Sequence, residues 1–159
     1  MSGGSVEFVR SFYPRGKLDC AEVFANAQRE REFVAWFSPL AHPDYRMVWV
    51  TPDEDGQLSP ASAGWAAHIG ALRSMMHSFD RYEFTPELFV DLEDNRVLVF
   101  ERLRMRRAGD GGEIDTEPAT IYEIVARKLR TAAFYRERSD ALAAAGLTLE
   151  EARDRGVEA

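Results

Sequence analysis

The stretch Ile121–Leu147 constrains this chain more than any other. A strand-like run to Ala126 meets a tight turn at Arg127-Lys128, returns as Leu129–Tyr135, and passes into a helix Glu137–Ala145 closed by Gly146-Leu147. Glycine suits the left-handed residue just past a helix end, so the stop is specific. A hairpin followed at once by a short helix cannot bury its apolar side alone, so it needs the rest of the chain as a partner.

Upstream, Tyr82, Phe84, Leu88, Val90 and Leu92 share one parity, and Glu93-Asp94-Asn95 turns the chain into Val97–Arg106. Gly109-Asp110-Gly111-Gly112 is a hairpin tip leading to a strand Thr116–Ala126. These glycines do not follow a strand and open a helix, so they are no phosphate cradle. Tyr45–Thr51 alternates as a further strand with Tyr45, Met47 and Trp49 on one face. Pro52–Leu58 reads as a loop, and Ser59-Pro60 reads as the cap and first residue of a helix running to Ser78. On that helix Trp65, His68, Ile69, Leu72, Met75 and Met76 share a face, with Arg73 and His77 opposite. Near the start, Ser5 caps a helix Val6–Tyr13 stopped by Pro14-Arg15-Gly16. Asp19 with Glu22 opens a second helical region, which itself or through a third segment reaches Ser38. Thr148 and Glu151 start a last turn or two, with fraying expected beyond Arg155.

The 159 residues make one domain, 1–159, with 1–4 and 156–159 expected to be disordered. A chain of this size buries roughly 70% of its unfolded surface and needs no staple. Cys20 stands alone, which excludes an internal disulfide and a multi-cysteine zinc site, and suits a small half-buried residue better than a nucleophile. A formal charge of −7 lacks the basic footprint of a nucleic-acid binder. The arginines Arg102, Arg104, Arg106 and Arg107 read as a solvated strand face paired with acids. No apolar run approaches the ~20 residues of a membrane span. Met1–Ser5 shows no secretory pattern, so a cytoplasmic location is the expectation.

Helices, a strand, a helix and then a meander of strands imply an α+β domain with a mostly antiparallel sheet. Tyr135–Leu147, His42-Pro43-Asp44 before the first strand, Gly64 with its following helix, and Lys128-Leu129 at the final hairpin resemble the SnoaL-like branch of the nuclear transport factor 2-like superfamily. The resemblance implies a cone: a curved sheet wrapped around the N-terminal and central helices, with a pocket inside. It also implies a homodimer through the convex sheet face, and polyketide-cyclase-like chemistry without a cofactor. Glu137 stands where many such sequences carry aspartate. The long segment Leu18–Pro39, with Phe33–Phe37 and Tyr45, is similar instead to the small structural subunits of ring-hydroxylating dioxygenases, a weaker likeness.

Three side chains are candidates for acid–base work. His68 sits on the apolar helix face, where an imidazole titrating near neutrality can shuttle a proton; a core-edge histidine with a satisfied hydrogen bond is the competing reading. Glu101 shares the parity of Val97, Val99, Leu103 and Met105, so burial of that face would desolvate it and raise its pKa. Glu123 lies between Ile121 and Val125, but both parities of that strand are apolar, and the choice between Glu123 and Tyr122 stays open. For both carboxylates the alternative is an arginine partner or a place on the outer surface. Tyr45, Trp49, Trp65, Leu72, Met76, Tyr122 and Tyr135 form the candidate ligand-binding set, suited to a small hydrophobic or aromatic molecule. His42, His68 and His77 occupy separate contexts, so no metal is expected. Two functions fit: a cofactor-free cyclase, isomerase or dehydratase on a small apolar or carbonyl-containing substrate, or a noncatalytic ligand-binding or structural dimer.

Overall fold

The run Val97-Leu98-Val99-Phe100 is apolar on both parities, and in the computed structural model, which describes residues 2–50 and 59–159, both of its faces are covered. The order is α1 (Ser2–Arg10), β1 (Leu18–Asp19), α2 (Cys20–Val23), α3 (Ala27–Phe37), β2 (Ala41–Val50), β3 (Ser59–Ala63), α4 (Trp65–Met76), β4 (Phe79–Asp91), β5 (Arg96–Arg107), β6 (Glu113–Thr116), β7 (Ala119–Val125), β8 (Lys128–Tyr135), α5 (Arg138–Ala145), α6 (Leu149–Arg155) and β9 (Val157–Glu158). The strands form one sheet in the order β1-β4-β5-β7-β8-β2-β3, with β6 on β5 and β9 on β4. Every pairing is antiparallel except β2 with β8. The result is the α+β architecture expected, a curled half-barrel against which the N-terminal helices pack.

Central strands covered on both faces read as continuous apolar runs rather than alternations. One face of β5 carries Val97 and Val99, which meet Val6, Val9, Phe12 and Tyr13 from α1 and the turn after it. The other carries Leu98 and Phe100, packed with Ala141 and Leu142 of α5 and Ala152 of α6. The closing helices therefore clasp the side of the sheet facing away from α1.

The turns follow strand geometry and the caps follow residue chemistry. Glu93 and Asn95 adopt positive φ in the four-residue turn between β4 and β5, and Ala126 and Arg127 do so together between β7 and β8, as a two-residue hairpin requires, one position before the turn expected at Arg127-Lys128. Asp19 caps α2, its Oδ1 accepting from the amides of Ala21 and Glu22, and also from Tyr82 on β4. Asn26 caps α3 and Thr148 caps α6. Gly146 closes α5 at φ 70°.

Several expectations change. Residues 2–4 belong to α1, which starts before Ser5 and ends at Arg10, so Ser5 lies inside the helix instead of capping it. Ser59-Pro60 opens no helix: it lies in β3, at the sheet edge, where a residue without an N–H is tolerated, and α4 begins after Gly64 at φ 88°. The loop expected at 52–58 lies outside the described residues. The strand expected from Tyr45 begins at Ala41, because a register shift between Ala41 and Arg46 lets His42-Pro43-Asp44 depart from the β8 pairing. The strand expected over Thr116–Ala126 is divided at Glu117-Pro118, and Pro118 is fully buried. No helix among the described residues is long and apolar enough to cross a membrane.

The C-terminus is held rather than frayed. Val157 pairs with Phe89, Glu158 pairs with Leu88, and the Ala159 amide donates to Glu87. Gly156 makes this possible: a Cβ there would lie 2.6 Å from Leu88 Cδ1 and 2.8 Å from the Ala152 carbonyl. Gly156→Ala is expected to cost about 1–3 kcal/mol by overpacking and to speed hydrogen exchange at the Ala159 amide. Unchanged exchange and stability would refute that account of the glycine.

Candidate functional site

Inside the half-barrel the helices and sheet leave a cavity of about 100 Å³, lined almost wholly by apolar and aromatic side chains. Phe12 and Tyr13 enter from the turn after α1, Phe33 and Phe37 from α3, and Trp65, His68, Leu72 and Met75 from α4. The sheet adds Tyr45, Met47 and Trp49 from β2, Tyr82 and Phe84 from β4, Glu101 from β5, and Tyr122 from β7.

Glu101 is the charged exception, and it is 1% exposed. Its strand places it there by the parity of Val97 and Val99, since one face of a strand repeats every second residue. Tyr13 donates from Oη to Glu101 Oε2 at 2.8 Å, and Thr120 donates a short hydrogen bond from Oγ1 to Oε1. The Tyr122 hydroxyl lies 2.7 Å from that of Tyr13, extending the chain to a third residue. Behind the carboxyl, the Glu101 amide donates to the Pro118 carbonyl. Pro86, opposite it on β4, has no N–H, and Arg138 donates to the Glu101 carbonyl at 2.8 Å. Arg138 also pairs with Glu87 at 2.6 Å and lies over the Phe100 ring, so its charge is spent on the far side of β5.

Burial pushes the Glu101 carboxyl up to about 7, against the hydrogen bonds from Thr120 and Tyr13 and the charge of Arg138, which favour the ionised form. Near neutral pH it can either accept or give a proton. Burial, and then the Glu101 charge, drive the Tyr13 and Tyr122 hydroxyls well above their usual range, so both stay protonated as donors. Cys20 is a buried cavity residue whose thiol burial pushes up to about 12, leaving it no nucleophile.

His68 lies in the same cavity wall, 7% exposed, its ring 5.2 Å from that of Tyr45 and 5.7 Å from that of Trp65. Burial lowers its pKa to about 4. Its Nδ1 and the Trp65 Nε1 have no hydrogen-bond partner among the described residues. A histidine in this state is a neutral imidazole at pH 7, and no hydrogen bond among the described residues joins it to Glu101.

The choice between Tyr122 and Glu123 is decided by pairing with β5, where Tyr122 and Thr120 lie opposite the inward Val97 and Val99, and the parity of Tyr135 by a bulge. Pairing of β7 with β8 slips between Glu123 and Ile124, so that Arg130 is skipped and Leu129, Ala132 and Phe134 all face the cavity. Thr120 and Tyr122 face inward. Glu123 points out, with Thr131 Oγ1 at 3.4 Å and Arg130 at 3.8 Å, and is not a cavity residue. Tyr135 falls on the outer parity too, buried with Ile121, Ala141 and Leu142, and does not line the cavity. Met76 packs beside Cys20, Tyr82 and Leu103, and Met75 takes its place in the cavity wall. Tyr45, Trp49, Trp65, Leu72 and Tyr122 do line the cavity. Sequence pattern singles out neither Tyr13 nor Thr120 as a site residue. Tyr13 is visible there only as the last residue of a helix face, 88 positions from the carboxyl it serves.

No family model matches the chain, and no curated protein matches it in sequence. Solved structures do match it. One, from Jannaschia sp. CCS1 and provisionally assigned as a SnoaL-like polyketide cyclase, superposes with a TM-score of 0.64 at 16% identity, over 92% of this chain and 94% of that one. A nuclear transport factor 2-like protein of unknown function from Burkholderia pseudomallei K96243 gives 0.59 at 14%, over 88% and 95%. A protein of ketosteroid isomerase-like fold from Catenulispora acidiphila DSM 44928, solved in complex with trimethylamine, gives 0.52 at 16%, over 74% and 90%. The fold is that of the nuclear transport factor 2-like proteins, shared with the Jannaschia structure provisionally assigned as a SnoaL-like cyclase. At these identities the likeness speaks for architecture, which hosts many functions.

Proposed function

We propose that the protein binds a small molecule in this cavity and that Glu101 performs cofactor-free proton transfer on it, as in an isomerase, cyclase or dehydratase. One observation carries the reading: a single carboxyl, almost wholly buried among aromatic rings, whose pKa burial raises to about 7. Tyr13 and Tyr122 supply hydroxyl donors beside it that can stabilise charge as a proton moves. His68 acts here as a neutral wall residue and hydrogen-bonding group, and Glu123 takes no part.

Size narrows the ligand. A cavity of ~150 Å³ admits benzene, so about 100 Å³ holds on the order of four heavy atoms. The trimethylamine of the Catenulispora protein is of that size. A noncatalytic binding role is the second reading, favoured by this same volume, since enzyme pockets for larger substrates run to roughly 300 Å³ or more. The homodimer is an expectation of the resemblance, and the cytoplasmic location an expectation from the pattern of Met1–Ser5. On the outer strand face Arg102 is already paired with Asp115 at 2.8 Å and Arg106 with Glu113 at 3.5 Å.

Acetone, a four-heavy-atom ketone, tests the chemistry. In deuterated buffer the protein is expected to accelerate methyl-proton exchange, monitored by NMR, with a rate rising through pH 7 as Glu101 ionises. Glu101→Gln is expected to return it to the buffer rate. Equal rates for the two proteins would overturn the catalytic role and leave the binding role.

A further inference from the structure

The Glu101 carboxylate has no cation in its cavity. Among the described lining residues there is no lysine or arginine. The other groups facing it are Tyr13 and Thr120, which donate to it, Tyr122 behind Tyr13, and Cys20 and Tyr82 nearby. His68, in the wall, is neutral at pH 7. Arg138 reaches only the Glu101 backbone carbonyl, from the opposite face of β5, and is engaged by Glu87.

The walls of the cavity that Glu101 enters are largely aromatic. Phe37 and Trp65 stack at 4.9 Å, Tyr45 stands edge-on to Trp65 at 5.7 Å, and Phe12 meets Tyr122 at 5.4 Å. Aromatic faces carry negative potential, and a desolvated cation with greasy substituents is held against them by cation–π attraction while its methyl groups fill apolar space. A buried carboxylate with hydrogen-bond donors but no counter-charge is still costly. Such a site therefore favours a ligand that brings the missing charge.

We propose that the cavity selects a small alkylammonium ion, of about four heavy atoms, with its charge directed at Glu101 and its alkyl groups against Phe37, Tyr45, Trp65 and Tyr122. This rests on the reading that the cavity binds a small molecule, and it goes beyond the proton-transfer role. Charge balance gives a second signature. Glu101 is held protonated below neutrality, so each cation bound there displaces one proton from its carboxyl to solvent.

The experiment compares trimethylammonium chloride with acetone, both of four heavy atoms, by NMR titration of the intact protein. Trimethylammonium is expected to bind at least tenfold more tightly than acetone at pH 8. The preference should fall at least tenfold at pH 5, where Glu101 is neutral, with proton release on binding between pH 5 and 7. In Glu101→Gln the preference should vanish at both pH values. Wild-type protein at pH 5 makes the same comparison without any substitution. If acetone binds or exchanges and trimethylammonium does not bind, cation selection is overturned while the small-molecule pocket stands. If trimethylammonium binds and acetone exchange is absent, cation selection stands and proton transfer fails. Binding of neither overturns both.

Discussion

Glu101→Gln is expected to stabilise the protein at pH 8 and to leave it little changed at pH 5. The unfolded carboxyl ionises near 4.5 and the folded one near 7, so between those values the folded state holds an extra proton and stability falls as pH rises. Above 7 the penalty is complete, about 3 kcal/mol. Glutamine removes it and presents an amide to Tyr13 and Thr120 in the same space, giving back part of that gain through less favourable hydrogen bonds. A net gain of about 1–3 kcal/mol at pH 8 is expected, read from urea midpoints.

His68 acts with the opposite sign. Its unfolded imidazole takes a proton near 6.5 and the folded one near 4, so stability is lost as pH falls through that window, again by about 3 kcal/mol. The two windows overlap between about 4.5 and 6.5, and the wild-type stability curve should be nearly flat there. Glu101→Gln exposes the histidine limb: its stability should climb from pH 4 to 6.5 and then level off. A variant displaced from wild type by the same amount at pH 5 and pH 8 would show that burial does not hold the Glu101 proton.

The second large effect is at Phe89. Its side chain is 1% exposed on β4, meeting Tyr13 edge-on at 6.0 Å with the Arg10 guanidinium 4.7 Å above the ring. Phe89→Ala is expected to cost about 3–5 kcal/mol through lost burial and the void left behind. In a domain of this size that is roughly 10 °C in Tm. The cavity would also lie under Tyr13, whose hydroxyl is a donor to Glu101. Loosening that donor should move the Glu101 titration further upward, measurable by carboxyl-carbon NMR. A loss under 1 kcal/mol with an unmoved titration would mean that the core under Tyr13 closes up on its own.

These effects separate what is legible in the chain from what is not. The caps at Asp19 and Thr148, the turn at Glu93–Asn95, the left-handed stop at Gly146 and the strand parity of Glu101 come from interactions within a few residues. Such terms can be read where they occur. Ser59-Pro60 shows the limit, because the same dipeptide suits a helix start and an edge strand, and only pairing with β2 decides between them.

Composition and short-range pattern thus settled the α+β class, most of the elements and the strand parity of Glu101, because propensity, capping and strand alternation are local; whether that parity faced inward stayed open. The functional arrangement was settled elsewhere. One skipped residue at Arg130 reverses the parity of the residues beyond it on β8, sending Phe134 inward and Tyr135 outward. Tyr13 meets Glu101 only because α1 is packed on the sheet. Burial then makes the histidine neutral and keeps a proton on the glutamate near neutral pH. Desolvation depends on every neighbour a group acquires in folding, and no segment of sequence contains that sum.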